Sequence, residues 1–154
     1  MTKILFLDID GVINSQRTCI AFNGYPHNFC AVDMAKFDHV AIALIRKLCH
    51  IAGCNVVLSS SWRYTFRVDA TGEALDLPMI GATPKSKGFD TRGEEIDYWL
   101  KEHPDVTHYA IVDDCEKMLP HQDQFYVQTD PDIGLTLADY KRLLSILTRE
   151  LEPA

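Results

Sequence analysis

Lys3-Ile4-Leu5-Phe6-Leu7-Asp8-Ile9-Asp10-Gly11-Val12-Ile13-Asn14 is the stretch on which the fold turns. A short apolar run closing on a turn residue reads as a buried strand, here about Lys3 to Asp8. Gly11 permits a sharp exit from it. Two carboxylates at the end of such a strand need an offset, because burying charge without a partner is costly. A bound cation is a sufficient offset, so the rest of the chain is read by asking what else gathers round it.

Four further apolar runs follow. Asn55-Val56-Val57-Leu58 ends in Ser59-Ser60-Ser61-Trp62-Arg63, and Leu77 to Gly81 makes a short third strand. Tyr109-Ala110-Ile111-Val112 closes on a second pair of carboxylates, Asp113 and Asp114, and Phe125-Tyr126-Val127 is the fifth run. Helices are predicted between them. Asp38 caps one over His39 to Ala52, with Val40, Ala43, Leu44, Lys47 and Leu48 at helical spacing and Gly53 as its stop. Another runs from the serines to about Thr71. Thr91-Arg92-Gly93-Glu94 fits a capping box, with Ile96, Trp99 and Leu100 as the apolar face behind it. A last helix spans about Leu137 to Leu151. Residues 14–38 hold Gly24, Pro26 and several aromatics without a period, which reads as a hairpin or looped flap; Lys85 and Lys87 fall in a polar loop.

Strands alternating with helices imply an α/β, Rossmann-like parallel sheet with helices on both faces. Ligands bind such sheets at the C-terminal edge of the strands. Asp8, Asp10, the serine run and Asp113/Asp114 all sit at strand C-termini, so residues far apart in sequence converge there.

The 154 residues suit one domain, 1–154, with residues 14–38 as a short insert. With 47% hydrophobic and 24% charged residues the chain is ordinary globular material, and a formal net charge of -7 argues against a broad basic surface for duplex nucleic acid. No run reaches the length of a membrane span, and the apolar start, interrupted by Asp8, does not read as a signal peptide. Five cysteines without CxxC or Cys/His spacing imply reduced thiols and a cytoplasmic location, and six scattered histidines disfavour zinc.

A hard divalent cation such as Mg2+ takes carboxylate oxygens, waters and substrate phosphate. Asp8, Asp113 and Asp114 can supply such carboxylates, with Asp113 the favoured direct ligand of its pair. Asp10 can give the metal its backbone carbonyl and keep its carboxyl group free. A carboxylate beside a metal and facing phosphate is a competent nucleophile, the role open to Asp8. A second carboxyl group, Asp10, can protonate the leaving oxygen and later deprotonate water. Ser59 or Ser60 can hydrogen-bond phosphate oxygens. Arg92 is the best-placed cation to offset the transferring charge, with Lys87 its rival. Arg63 reads equally as a phosphate contact or a surface arginine. Phe22, Tyr25 and His27 read as a packed flap in preference to a base-stacking surface, and Trp62, Trp99 and Cys115 as core.

Strand-Asp-x-Asp-Gly, strand-Ser, a basic residue at a helix start and strand-Asp-Asp, in that order from Asp8 to Asp114, resemble the haloacid dehalogenase (HAD) superfamily. The resemblance implies strand order 5-4-1-2-3 and Mg2+-dependent phosphomonoester hydrolysis. Asp8 then matches the nucleophile, Asp10 the acid/base, the serines the second motif, Arg92 or Lys87 the third, and Asp113 with Asp114 the metal-binding fourth. The segments SSSWR and RGEEIDYWL also resemble phosphatase domains of nucleic-acid repair proteins. The insert is too short for a large cap domain, so an open site is expected, able to admit a phosphorylated nucleic-acid end or, alternatively, a nucleotide or other small metabolite. No protein partner is evident, an oligomer stays open, and an idle binding module is the rival from another class.

Overall fold

A computed structural model of the chain describes residues 1–85 and 88–151. Its strands are β1 (Thr2–Leu7), β2 (Asn55–Leu58), β3 (Met79–Ala82), β4 (Val106–Asp113) and β5 (Tyr126–Gln128). All neighbours pair in parallel, in spatial order β3-β2-β1-β4-β5. This is the expected order read from the opposite edge. The helices are α1 (Gln16–Ala21), α2 (Ala31–Met34), α3 (His39–Ala52), α4 (Val68–Leu75), α5 (Arg92–Lys101) and α6 (Leu137–Thr148).

The central strand explains the unbroken apolar run. Ile4, Leu5, Phe6 and Leu7 are all fully buried, as a strand covered on both faces requires. Side chains alternate between faces. Leu5 and Leu7 pack with Ile45 and Leu48 of α3 and Leu143 and Leu147 of α6, whereas Ile4 and Phe6 pack with Ile96 and Trp99 of α5. The Phe6 ring meets Trp99 edge-on at 5.5 Å and Tyr109 at 6.1 Å. Such pairs add roughly 0.5–1.5 kcal/mol each beyond the area they bury.

Register positions the site. Leu7 pairs with Leu58 on one side and with Val112 on the other. The next residues, Asp8, Ser59 and Asp113, therefore leave the sheet at one level. Backbone bonds continue the ladder there: the Asp8 amide donates to Val112 O at 3.1 Å and the Ser59 amide to Leu7 O at 3.0 Å.

Two expectations are corrected. Residues 14–38 form no hairpin; they carry α1 and α2 with an irregular loop between them. Ser15 starts α1, its side chain accepting from the Thr18 amide while the Ser15 amide donates to Thr18 Oγ1. This reciprocal cap supplies the local order that the missing periodicity conceals. The helix expected from the serines to Thr71 is split into a 3₁₀ turn at Ser61–Tyr64 and α4. The Ser60 hydroxyl accepts from the Trp62 amide at 3.2 Å and fixes that turn.

Candidate active site

Asp8, Asp113 and Asp114 are brought together at the C-terminal edge of the sheet, with one carboxylate oxygen from each lying within 4.8 Å of the others. Asp8 and Asp113 are buried and Asp114 is half-buried. Burial first, then the neighbouring Asp113 charge, pushes the Asp8 carboxyl well above the usual carboxylate range, with Arg92 opposing. Burial and Asp113 push Asp114 up as well. Three crowded carboxylates form an all-oxygen, strongly anionic donor set, and that chemistry fits a hard divalent cation.

Arg92 is the cation the site already contains. Burial opposes its charge, but Asp8 and Asp113 hold its guanidinium more firmly protonated than usual. Its Nη1 donates to Asp113 Oδ2 at 2.7 Å and lies 3.3 Å from Asp8 Oδ2. The other Asp113 oxygen accepts from the Cys115 amide at 2.8 Å. Asp113 is thus the hub of the cluster, with both oxygens engaged by the chain. Arg92 owes its place to the start of α5, where Thr91 accepts from the Glu94 amide at 3.3 Å. Glu94 completes the cap by accepting from the Asp90 amide at 2.9 Å, one residue earlier than the predicted box requires. Behind it, buried Gln122 donates to Gly93 O at 2.9 Å and accepts from the Leu119 amide at 2.8 Å. A Cβ on Gly93 would strike both Gln122 and the Leu119 backbone, so close approach of this loop requires glycine.

Asp10 sits in different surroundings. Its residue is exposed, and its two carboxylate oxygens accept from neutral donors: Asn14 Nδ2 at 2.9 Å and the Trp62 indole Nε1 at 3.1 Å. Asn14 also accepts from the Gly11 amide at 3.1 Å. Gly11 has φ +81°, and a Cβ there would collide with the Asp114 carboxylate. Glycine is needed twice over, for the turn and for the space.

Of the two serines, Ser60 spends its hydroxyl on the 3₁₀ turn. Ser59 Oγ is fully buried and has no hydrogen-bond partner among the described residues, an arrangement that is rare unless another group completes it. Arg63 does not face the site as a phosphate donor. It is buried at 3% exposure and gives its protons to Ser59 O, Ser60 O and Thr83 O and to Glu95. It ties β2, β3 and α5 together beneath the serine run. Lys87 lies outside the described residues.

Four site residues were not legible as such in the sequence. Trp62 is buried, as expected of core, yet its polar edge holds Asp10; only its place three residues after Ser59 hinted at this. Asn14 and Gln122 carry no motif at all. Tyr126 donates to the carbonyls of Asp113 and Cys115 and so braces the acidic turn.

The sequence model for the HAD domain in Swiss Army Knife RNA repair proteins matches residues 4–140, and so covers the sheet, the acidic cluster and the start of α6. Searches of curated proteins and of solved structures found no match.

Proposed function

The chain belongs to the family of HAD domains in Swiss Army Knife RNA repair proteins, and from that membership we propose that it is a Mg2+-dependent phosphatase working through an aspartyl-phosphate intermediate on phosphorylated substrates, polynucleotide ends among them. The observation that carries this reading is the Arg92 guanidinium lodged between Asp8 and Asp113 inside a three-carboxylate cluster. Such an arrangement holds one positive group beside a carboxylate while leaving excess negative charge to be met by a cation.

In the proposed reaction an Asp8 oxygen attacks phosphorus, and the bond from phosphorus to the leaving oxygen breaks. Asp10, in its acid form, gives that oxygen its proton. The Asp10 carboxylate then takes a proton from water as the water oxygen attacks the acyl phosphate, which releases phosphate and restores the Asp8 carboxylate. Arg92 offsets charge on the phosphoryl oxygens. A divalent cation held by Asp8, Asp113 and Asp114, with the Asp10 carbonyl as a further donor, would neutralise the phosphoryl group and orient it. Ser59 Oγ, buried without a partner, is the donor suited to a phosphate oxygen.

The test is phosphate release from p-nitrophenyl phosphate by purified protein. Turnover is expected with Mg2+, lost with a chelator, and regained when Mg2+ is restored. A folded protein inert under all these conditions would mark the chain as an idle binding module. A nucleotide or small-metabolite phosphatase is the closer alternative, and comparison of phosphorylated oligonucleotides with mononucleotides and sugar phosphates separates the two.

A further inference from the structure

An open groove of about 510 Å³ begins at the acidic cluster and runs away from the sheet. Asp10 and Asp114 stand at its inner end, and Tyr25, His27, Trp62 and Phe66 line it. Its position fixes its role in the hydrolytic reading. Asp10 is the group that protonates the leaving oxygen, so whatever is attached to that oxygen occupies the space beside Asp10.

The walls are aromatic and held in place. Trp62 packs against Phe66 at 5.3 Å, Phe29 at 5.2 Å and Phe37 at 5.7 Å between ring centroids. Its polar edge is fixed on Asp10, so the ring has little freedom. The opposite wall belongs to residues 14–38. There the buried Asp33 carboxylate accepts from the His27 amide at 2.7 Å and from the Asn28 amide at 3.2 Å. Those contacts clamp the turn that presents Tyr25 and His27. Tyr25 keeps 40% of its surface exposed, an aromatic face without full cover beside a rigid aromatic platform.

Charge narrows the occupant further. Among the described residues none of those lining the groove is a lysine or arginine, while Asp10 and Asp114 lie at its inner end. Away from the inner end, where the proposed cation would offset the carboxylates, the described lining offers no lysine or arginine to a further phosphate on the leaving group. The site therefore suits a flat, uncharged ring carried on the leaving alcohol. The volume lies within the range of small-molecule sites and is adequate for one nucleoside, and aromatic side chains stack bases of any sequence.

We propose that this groove is a leaving-group subsite that holds the base of the nucleoside whose phosphate is removed, with Tyr25, Phe66 and Trp62 as its stacking surfaces. The proposal rests on the hydrolytic reading above, and its test separates the two. Ribose 5-phosphate and adenosine 5′-monophosphate present the same kind of leaving oxygen and differ in the base, and adenosine 3′-monophosphate covers the other orientation. One of the two nucleotides is expected to exceed ribose 5-phosphate in kcat/KM by roughly tenfold or more. That ratio is expected to collapse toward one in Tyr25→Ala and in Phe66→Leu, the latter keeping apolar volume while removing the ring face. Adenosine itself, which has no phosphate, is expected to quench indole emission saturably in the wild type and more weakly in Tyr25→Ala. Equal turnover of ribose 5-phosphate and both nucleotides, with no adenosine quenching, would overturn the subsite and leave hydrolysis standing. Adenosine binding in a chain that hydrolyses neither these nor p-nitrophenyl phosphate nor phosphorylated oligonucleotides with Mg2+ would support the subsite and overturn the hydrolytic reading.

Discussion

Asp8 and Asp10 are separated by one residue and belong to two different regions of the molecule. Asp8 stands in a buried patch of formal charge, with Asp113, Asp114 and Arg92 around it. Asp10 stands at an aromatic groove and is held by an amide and an indole, both neutral. The difference teaches how one short turn supports two kinds of work. Burial and Asp113 disfavour the ionised Asp8 carboxyl and Arg92 opposes them, so a nucleophile placed there calls for a further cation to stay ionised. Neutral donors orient the Asp10 carboxyl group at the inner end of the groove, the position a general acid and base must hold.

The sharpest way to break this comparison is Asp8→Asn. Phosphate release is expected to fall by at least about 10⁴-fold with unchanged circular dichroism; substantial turnover would remove the nucleophile assignment. The same variant carries a stability signature. The Asp8 carboxyl is raised in the folded chain, so its penalty is absent below the unfolded value near about 4 and grows as pH rises through the folded one. Metal-free Asp8→Asn is therefore expected to melt above wild type at pH 8, with the gap closing at pH 4. Next in size is Arg92→Ala, expected to lower kcat by roughly 10²–10³-fold. It also leaves Asp8 and Asp113 without their guanidinium, so melting of the metal-free variant is expected to drop, and added Mg2+ to recover part of the loss.

The smallest effect sharpens the other side. Trp62→Phe keeps the ring in its aromatic cluster and deletes the donor to Asp10. A loss of about tenfold is expected on an alkyl phosphate, whose alkoxide needs a proton, and a smaller one on p-nitrophenyl phosphate, whose phenolate leaves without help. Equal losses on both substrates would show that the indole acts through packing alone.

Legibility divided along the same line. The strands of the charged half announced themselves, because a strand buried on both faces must be apolar throughout and any carboxylate at its end stands out. Asp8 and Asp113 could be placed at strand C-termini and Arg92 at a helix start, with Lys87 as its rival. The groove half was obscured by chemistry that carries no pattern. α1 is a single capped helix of six residues, too short for a period to show, and the link from Trp62 to Asp10 spans 52 residues. Arg63 reads evenly as a phosphate contact or a surface arginine, and it is instead a buried brace. Its sequence position beside the serines is catalytic in appearance, yet backbone carbonyls and Glu95 already use its donors.

The common register of Leu7, Leu58 and Val112 also governs how the molecule comes apart. Asp8 and Asp113 hang from the most protected strands, so the reacting cluster can be lost only when the whole sheet dissolves. The groove wall is secured by the contacts to Asp33, by the bonds from Gln16 and Arg17 to Pro131 and Asp132, and by Phe29 and Phe37 against Trp62. That wall can open as a local unit while the sheet stays closed. Warming or mild denaturant would then make the protein indiscriminate before it made it inactive.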